Sequence, residues 1–157
     1  MSHLDPTIFT DAAKHVIAHM LGGEIKFRDP TKDSVDDNAN IAVVVGLSGD
    51  VAGSVVMALP ETTALNLVRR IANMELKVCD PDFSDSLASV LNMIVDQADH
   101  DLPAMHVQRT LSQILVGSHL HVLAVKRQPM TIFCSKTSFG PMQLLVSLVD
   151  QPQTAAA

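Results

Sequence analysis

Residues 41–61, IAVVVGLSGDVAGSVVMALPE, decide the fold. Two apolar runs rich in β-branched residues, Ile41 to Gly46 and Val51 to Leu59, flank the turn sequence Leu47-Ser48-Gly49-Asp50. Such runs on either side of a short turn that contains Gly and Asp are typical of a β-hairpin. Pro60-Glu61 suits the start of a helix. The stretch therefore predicts a hairpin that leads directly into a helix.

A further helix is predicted before the hairpin. Asp5 can cap it, Pro6 suits its first turn, and Gly22-Gly23 ends it. Apolar residues recur in pairs four positions apart, which indicates one wide buried face. These pairs are Ile8/Phe9, Ala12/Ala13, Val16/Ile17 and Met20/Leu21. Residues 24–28 are a candidate short strand, and the polar residues 29–39 are predicted to form a loop.

The elements after the hairpin complete the predicted architecture. A third helix runs from about Phe83 to about Asp101. Three later strands are predicted at Leu111–Val116, Met130–Ser135 and Gln143–Val149. The fold class is therefore α+β, an antiparallel sheet of about five or six strands with three helices, in the order α-β-β-α-α-β-β-β. We expect a single domain over residues 1–150 and a disordered tail over residues 151–157.

Composition narrows the range of functions. Of the 157 residues, 47% are hydrophobic and 18% are charged, which indicates a globular chain. The net charge of −6 and the absence of Trp and Tyr argue against binding to nucleic acid. No apolar run approaches the roughly 18 residues that cross a bilayer, so we expect no membrane partner. With no visible signal peptide, the two cysteines are interpreted as reduced thiols of a cytoplasmic protein.

The third helix has two distinct faces. At about 100° per residue, five apolar residues fall on one side, namely Leu87, Val90, Leu91, Ile94 and Ala98. Five short polar residues fall within about 40° of the opposite direction. They are Asp85, Ser89, Asn92, Asp96 and Asp99. This polar face lacks the Lys, Arg and Glu that a solvated helix face normally carries. On this pattern alone, a docking surface and a plain solvated stripe both remain open.

Several segments together resemble the CheX/CheC chemotaxis phosphatase family. The most specific is Gly46-Leu47-Ser48-Gly49-Asp50-Val51-Ala52-Gly53-Ser54-Val55-Val56-Met57-Ala58-Leu59-Pro60-Glu61, followed by Thr-Ala-Leu-Asn-Leu-Val. The resemblance extends to Pro6 and the first helix, to Asp85 through Met93, and to the closing hairpin around Gly140. It covers about residues 5–150.

This resemblance implies a function. Members of the family remove phosphate from the aspartyl phosphate of a CheY-like receiver domain. Their middle helix carries an acidic residue, which pairs with a receiver lysine, and three positions later an asparagine, which holds a water in line with phosphorus. Residues three apart share a helix face, so both can enter the partner's site together. Asn92 matches the asparagine, and Asn92-Met93-Ile94 is the expected tripeptide, whereas Ser89 stands in the acidic position.

Two hypotheses follow from the resemblance. In the first, the chain docks on a phosphorylated CheY-like receiver and hydrolyses its phosphate, with Asn92 as the catalytic residue and with Asp85, Ser89, Asp96 and Asp99 binding the partner. In the second, it is an adaptor that docks without turnover, because Ser89 cannot form the lysine pair. Asp96, one turn beyond Asn92, could pair with a basic group instead. The resemblance also implies a homodimer and no cofactor, any Mg²⁺ belonging to the receiver.

Other interpretations remain open. Ile71-Ala72-Asn73-Met74 also resembles the asparagine tripeptide, although Arg70 precedes Asn73 where the acid would be. Asp11, His15 and His19 are spaced four apart and could present a metal site on one helix face. The glycines near the hairpin fit no phosphate-loop spacing and are interpreted as turn and close-approach residues. A small-molecule sensor remains a third hypothesis, without a residue that supports it.

Overall fold

The computed structural model describes residues 5–31, 39–101, 107–120 and 130–150. The predicted tail at 151–157 and most of the predicted loop at 29–39 lie outside the described residues.

Three helices are present where the sequence predicts them. Helix α1 (Thr7–His15) continues as one π-helical turn, Val16–Met20. Helices α2 (Glu61–Ala72) and α3 (Pro81–Asp101) follow the hairpin. The predicted cap at the start of α1 is confirmed, because the carboxylate of Asp5 accepts a 3.0 Å hydrogen bond from the backbone N–H of Thr7.

Within the described residues, seven strands form one antiparallel sheet. They are β1 (Ile25–Phe27), β2 (Ile41–Gly49), β3 (Val51–Leu59), β4 (Val107–Arg109), β5 (Gln113–Val116), β6 (Met130–Thr137) and β7 (Gly140–Asp150). Their order across the sheet is β1-β6-β7-β3-β2, and both β4 and β5 pair with the free side of β2. The strands at this edge of the sheet, β4 and β5, therefore belong to the part of the chain that comes after α3.

The predicted α+β class is confirmed, the candidate strand at residues 24–28 is present as β1, and β4 is additional to the prediction. The observed order is α-β-β-β-α-α-β-β-β-β, because Ile25–Phe27 and Val107–Arg109 each form a three-residue strand. The three residues of Val107–Arg109 are too few for an alternating pattern to be recognised. Strand β2 also continues to Gly49, beyond the predicted end at Gly46, because β4 pairs with Leu47–Gly49 from its other side.

The helices cover one face of the sheet and enclose the core. All five predicted apolar residues of α3, Leu87, Val90, Leu91, Ile94 and Ala98, are fully buried there. The second helix buries Ala64, Leu67 and Val68, while Ile71 is partly buried. Within the described ranges, no helix is long and apolar enough to cross a membrane. Packing of α3 against the sheet leaves its opposite, polar face outward.

Gly53, in the stretch of residues 41–61, occupies a position that requires glycine. Its φ of +152° lies in a region that side-chain-bearing residues rarely adopt. A Cβ at this position would also collide with the carbonyl oxygen of Ser147 on the neighbouring strand β7. The interpretation of this glycine as a close-approach residue is therefore confirmed.

Candidate functional site

The polar face of α3 is the candidate site, and four of its five residues are exposed. Asp85, Ser89, Asp96 and Asp99 are open to solvent, whereas Asn92, at the centre, is half-buried. The row is long, because Asp85 and Asp99 are fourteen positions apart, or about 21 Å along the helix axis at 1.5 Å per residue. A partner that touched the whole row would therefore need a groove several helical turns long.

The carboxamide of Asn92 is held by two hydrogen bonds within the chain. Its Nδ2 donates to the backbone oxygen of Ala88, at 3.1 Å, and to the hydroxyl of Ser112, at 2.9 Å. Ala88 lies one turn earlier on α3, whereas Ser112 comes from the segment between β4 and β5. Among the described residues, none donates a hydrogen bond to the carboxamide oxygen. That oxygen is the group with which Asn92 can act on a ligand or water.

A β-bulge places Ser112 beside Asn92. Arg109 pairs with Leu47, and Gln113 pairs with Val44. Three residues of the edge segment, 110–112, therefore stand opposite two residues of β2, 45–46. One extra residue in a strand bends it and turns a side chain in a new direction. Thr110 anchors the bulge, since its N–H donates to the backbone oxygen of Gly46 at 2.9 Å and its hydroxyl accepts from the N–H of Gly46 at 3.0 Å.

Arg109 crosses from the end of β4 to the same turn of α3. Its guanidinium forms an ion pair with the carboxylate of Asp96 and donates a 3.3 Å hydrogen bond to the backbone oxygen of Asn92. Both side chains remain partly exposed, 34% for Arg109 and 58% for Asp96. Asp96, proposed from the sequence as a substitute partner for a basic group of the receiver, is thus paired with a basic group of its own chain.

Asp99 lies one turn further along the face. Partial burial raises the pKa of its carboxyl, the positive charge of Arg109 lowers that pKa, and the negative charge of Asp96 raises it. Burial is the largest of these effects, so the net direction is upward from the ordinary value of 3.8. Arg109 therefore acts on both carboxylates at this end of the helix.

Ser89 takes part in a separate, local contact. Its hydroxyl donates a 2.8 Å hydrogen bond to the backbone oxygen of Asp85, one turn earlier. The hydroxyl of a serine in a helix often donates to a backbone oxygen of the preceding turn in this way. The structure thus groups Asn92 and Asp96 with Arg109 and Ser112, and leaves Ser89 outside that group.

Two residues of this group, Arg109 and Ser112, were not predicted from the sequence. A signal for Arg109 was present, because it is the only Lys or Arg in residues 101–120, a short distance after the acidic face of α3. Ser112 had no comparable signal, because the contact depends on a bulge that creates no recognisable pattern. The polar contacts of the site therefore join α3 to the β4–β5 segment, which comes after α3 along the chain.

The other candidate residues have structural explanations. Asn73 is exposed at the end of α2 with a φ of 53°, the left-handed conformation in which asparagine commonly ends a helix. The rings of His15 and His19 lie 4.7 Å apart. However, within the described residues no group of three His, Cys, Asp or Glu side chains could hold a metal ion.

Solved structures with the same fold include chemotaxis proteins. A CheX from Desulfovibrio desulfuricans is 22% identical with a TM-score of 0.78, and the match covers 91% of this chain and 97% of that one. A CheX from Vibrio vulnificus is 14% identical with a TM-score of 0.81, covering 92% and 98%. The CheX–CheY–BeF3–Mg complex from Borrelia burgdorferi gives 22% identity and a TM-score of 0.75, covering 91% and 96%. At these identities the likeness establishes the fold.

The match to a protein-family model establishes the family of this chain. Residues 41–135 match the model of the chemotaxis phosphatase CheX, from the start of the hairpin to β6. The chain therefore belongs to the CheX family of chemotaxis phosphatases. None of the proteins with curated functions matches the sequence.

Proposed function

We propose that this chain docks the polar face of α3 on a phosphorylated CheY-like receiver domain and hydrolyses its aspartyl phosphate. The observation that carries the proposal is the position of Asn92. It lies at the centre of an outward face of short polar residues, and no described residue donates to its carboxamide oxygen. An oxygen held in this way can orient a water for in-line attack, and in phosphoryl transfer such positioning is the main contribution of the protein.

The family and the fold support the choice of partner. The Borrelia burgdorferi relative with this fold forms a complex with CheY, BeF3 and Mg. A receiver of the same kind, located in the cytoplasm, is the partner that we propose for this chain. In that arrangement, Asp85, Ser89, Asp96 and Asp99 contact the receiver, which brings its own Mg²⁺.

The geometry also favours a second candidate, an adaptor that docks without turnover. Ser89 stands in the acidic position that the resemblance implies, and its hydroxyl bonds to the backbone of Asp85. Asp96, the carboxylate one turn beyond Asn92, is paired with Arg109. Neither residue then offers an unpaired carboxylate to a receiver lysine. The loss of such an ion pair costs about 2–5 kcal/mol when it is buried in a complex.

Phosphate release from a receiver distinguishes the two candidates. CheY-like receivers are phosphorylated with acetyl phosphate, and loss of the phosphate is followed with wild type, Asn92→Ala and Ser89→Glu. The phosphatase predicts release by wild type that Asn92→Ala abolishes. The adaptor predicts binding without release by wild type, and release that appears in Ser89→Glu. Absence of binding to every receiver would contradict both.

Asn73 supplies the matched control. It is the other asparagine in a similar tripeptide, and glycine is well tolerated in its left-handed conformation. Asn73→Gly should therefore fold and retain the wild-type rate. Loss of release in Asn73→Gly but not in Asn92→Ala would transfer the proposed role to Asn73.

We also propose a homodimer, in agreement with the resemblance. Strand β5 forms part of one side of the sheet, and the side chains of Leu115 and Val116 on it are more than half exposed. Apolar side chains on an outer strand are typical of a surface that pairs with another chain. Sedimentation of the wild type and of Leu115→Lys/Val116→Lys tests this: the wild type should sediment as a dimer and the variant as a monomer.

A further inference from the structure

Ser112 holds the functional end of Asn92 from outside the helix. The hydrogen bond from Asn92 Nδ2 to Ser112 Oγ is 2.9 Å long and joins residues twenty positions apart. Both side chains are half-buried, so water competes less strongly for this bond than it would on an open surface. The contact therefore ties the carboxamide to the edge of the sheet.

The two hydrogen bonds together define the orientation of the carboxamide. The group has two N–H donors and one oxygen acceptor. The backbone oxygen of Ala88 takes one donor and the hydroxyl of Ser112 takes the other. A rotation of the group by 180° would bring its oxygen against the backbone oxygen of Ala88, where two acceptors repel each other. In the observed orientation, no residue of the described ranges donates to the oxygen, which is therefore the polar atom available to a ligand.

Without Ser112, the helix alone would not hold the side chain in this position. The Ala88 contact spans one turn of the same helix, and asparagine forms such contacts in several rotamers. The bulge at residues 110–112 gives the second anchor, and Arg109 fixes the bulge segment to the same turn through Asp96. The edge segment and the helix are thus joined at Arg109, just before the bulge, and at Ser112, its last residue.

We propose that Ser112 is a positioning residue, whose hydroxyl fixes the carboxamide of Asn92 so that its oxygen meets a water or a phosphoryl group on a docked partner. The inference rests on the proposed function only for the identity of the group that the carboxamide oxygen contacts on a partner. The orienting contact itself belongs to the free protein and can be tested without a partner.

A proton–nitrogen correlation spectrum of the free protein tests the contact. The side-chain resonances of Asn92 are assigned by their loss in Asn92→Ala. Ser112→Ala should shift these resonances and increase the solvent exchange of their protons by about three- to tenfold, as expected for the loss of one neutral hydrogen bond. Ser112→Thr retains the hydroxyl and should restore the slow exchange. Unchanged resonances in Ser112→Ala would overturn the inference.

The adjacent residue supplies the control. Gln113 is exposed on β5, next to the bulge, so Gln113→Ala should leave the Asn92 resonances in place. Equal shifts in Gln113→Ala and Ser112→Ala would contradict a specific contact. If Ser112→Ala does not fold, Ser112→Cys takes its place in the comparison. The cysteine removes the strong acceptor with little change in volume.

Turnover provides a second readout, which separates the inference from the proposed function. With a phosphorylated receiver, Ser112→Ala should reduce kcat by about three- to tenfold and leave KM within about twofold, because it changes orientation and not docking. Rescue of kcat by Ser112→Thr is expected. If wild type releases no phosphate, the phosphatase proposal fails, and the spectra alone decide whether Ser112 orients Asn92. An equal change in KM and kcat would contradict a positioning role.

Discussion

Arg109 and Asp96 form an ion pair between the end of β4 and the polar face of α3. The guanidinium also donates to the backbone oxygen of Asn92, so one side chain contacts two residues that are one helical turn apart. Asp96 is the carboxylate nearest to Asn92 along the polar face, and this pair engages it before any partner arrives. The charge that a receiver would meet beside Asn92 is therefore largely neutralised.

Removal of the guanidinium should strengthen receiver binding. In Arg109→Gln, Asp96 becomes available to the receiver lysine that the family resemblance implies. We expect about 1.5- to fivefold tighter binding to a BeF3-loaded receiver in low salt, because an exposed or half-exposed ion pair contributes roughly 0.2–1 kcal/mol. Calorimetric titration measures the change, and the gain should disappear in the double variant Arg109→Gln/Asp96→Asn.

A second cation controls for net charge. Lys136 is exposed on β6, and Lys136→Gln removes the same charge as Arg109→Gln. Binding that tightens equally in both variants would mean that overall charge, and not the release of Asp96, causes the effect.

The raised pKa of Asp99 gives the site a pH dependence. Because the pKa is higher in the folded protein than in the unfolded chain, the folded state binds more protons just above pH 3.8, and this contribution to stability decreases as the pH rises through that window. Asp99→Asn should therefore stabilise the protein slightly at pH 7, by less than about 1 kcal/mol for so exposed a group. Urea unfolding at pH 7 and at pH 3 measures the difference, which should vanish at pH 3.

Arg109 provides a check on the cause. Its charge lowers the pKa of Asp99, so Arg109→Gln should raise that pKa further. A carboxyl titration by carbon NMR that finds the pKa of Asp99 unchanged in Arg109→Gln would contradict the placement of the guanidinium beside this carboxylate.

Gly53 should tolerate no side chain. In Gly53→Ala, the added Cβ would collide with the carbonyl oxygen of Ser147, in a backbone conformation that alanine rarely adopts. We expect a loss of more than about 3 kcal/mol in the free energy of unfolding, or failure to fold. The neighbouring Ser54→Ala should change it by less than about 1 kcal/mol. A Gly53→Ala protein as stable as Ser54→Ala in urea would contradict the observed strand pairing.

Much of the fold could be predicted because its elements carry strong local patterns. The hairpin has β-branched runs around a turn, and α3 has five apolar residues at helical spacing, all of which are buried. The short strand Val107–Arg109 is not predicted from the sequence, and Ile25–Phe27 is predicted only as a candidate strand over residues 24–28. They exist because a neighbouring strand offers hydrogen-bonding partners, which is a tertiary effect that no local pattern records.

Only those residues of the site that lie on α3 could be predicted from the sequence. The face of α3 follows from helical periodicity, which places Asn92 among Asp85, Ser89, Asp96 and Asp99. The contacts of Arg109 and Ser112 with that face depend on the register of β4 and β5 against β2 and on the single extra residue between them. Register and bulges are decided by pairing across the sheet, so the sequence of the edge segment alone does not reveal them.

We propose that the carboxamide of Asn92 positions the water that attacks the phosphoryl group of a docked receiver. The most direct measurement is the rate of phosphate loss from a phosphorylated CheY-like receiver in the presence of wild type and of Asn92→Ala, with receiver binding measured for both. We expect release by wild type and a reduction of about a hundredfold or more in Asn92→Ala, with binding retained, as for the loss of a group that positions the attacking water. Equal release by the two proteins would contradict the account.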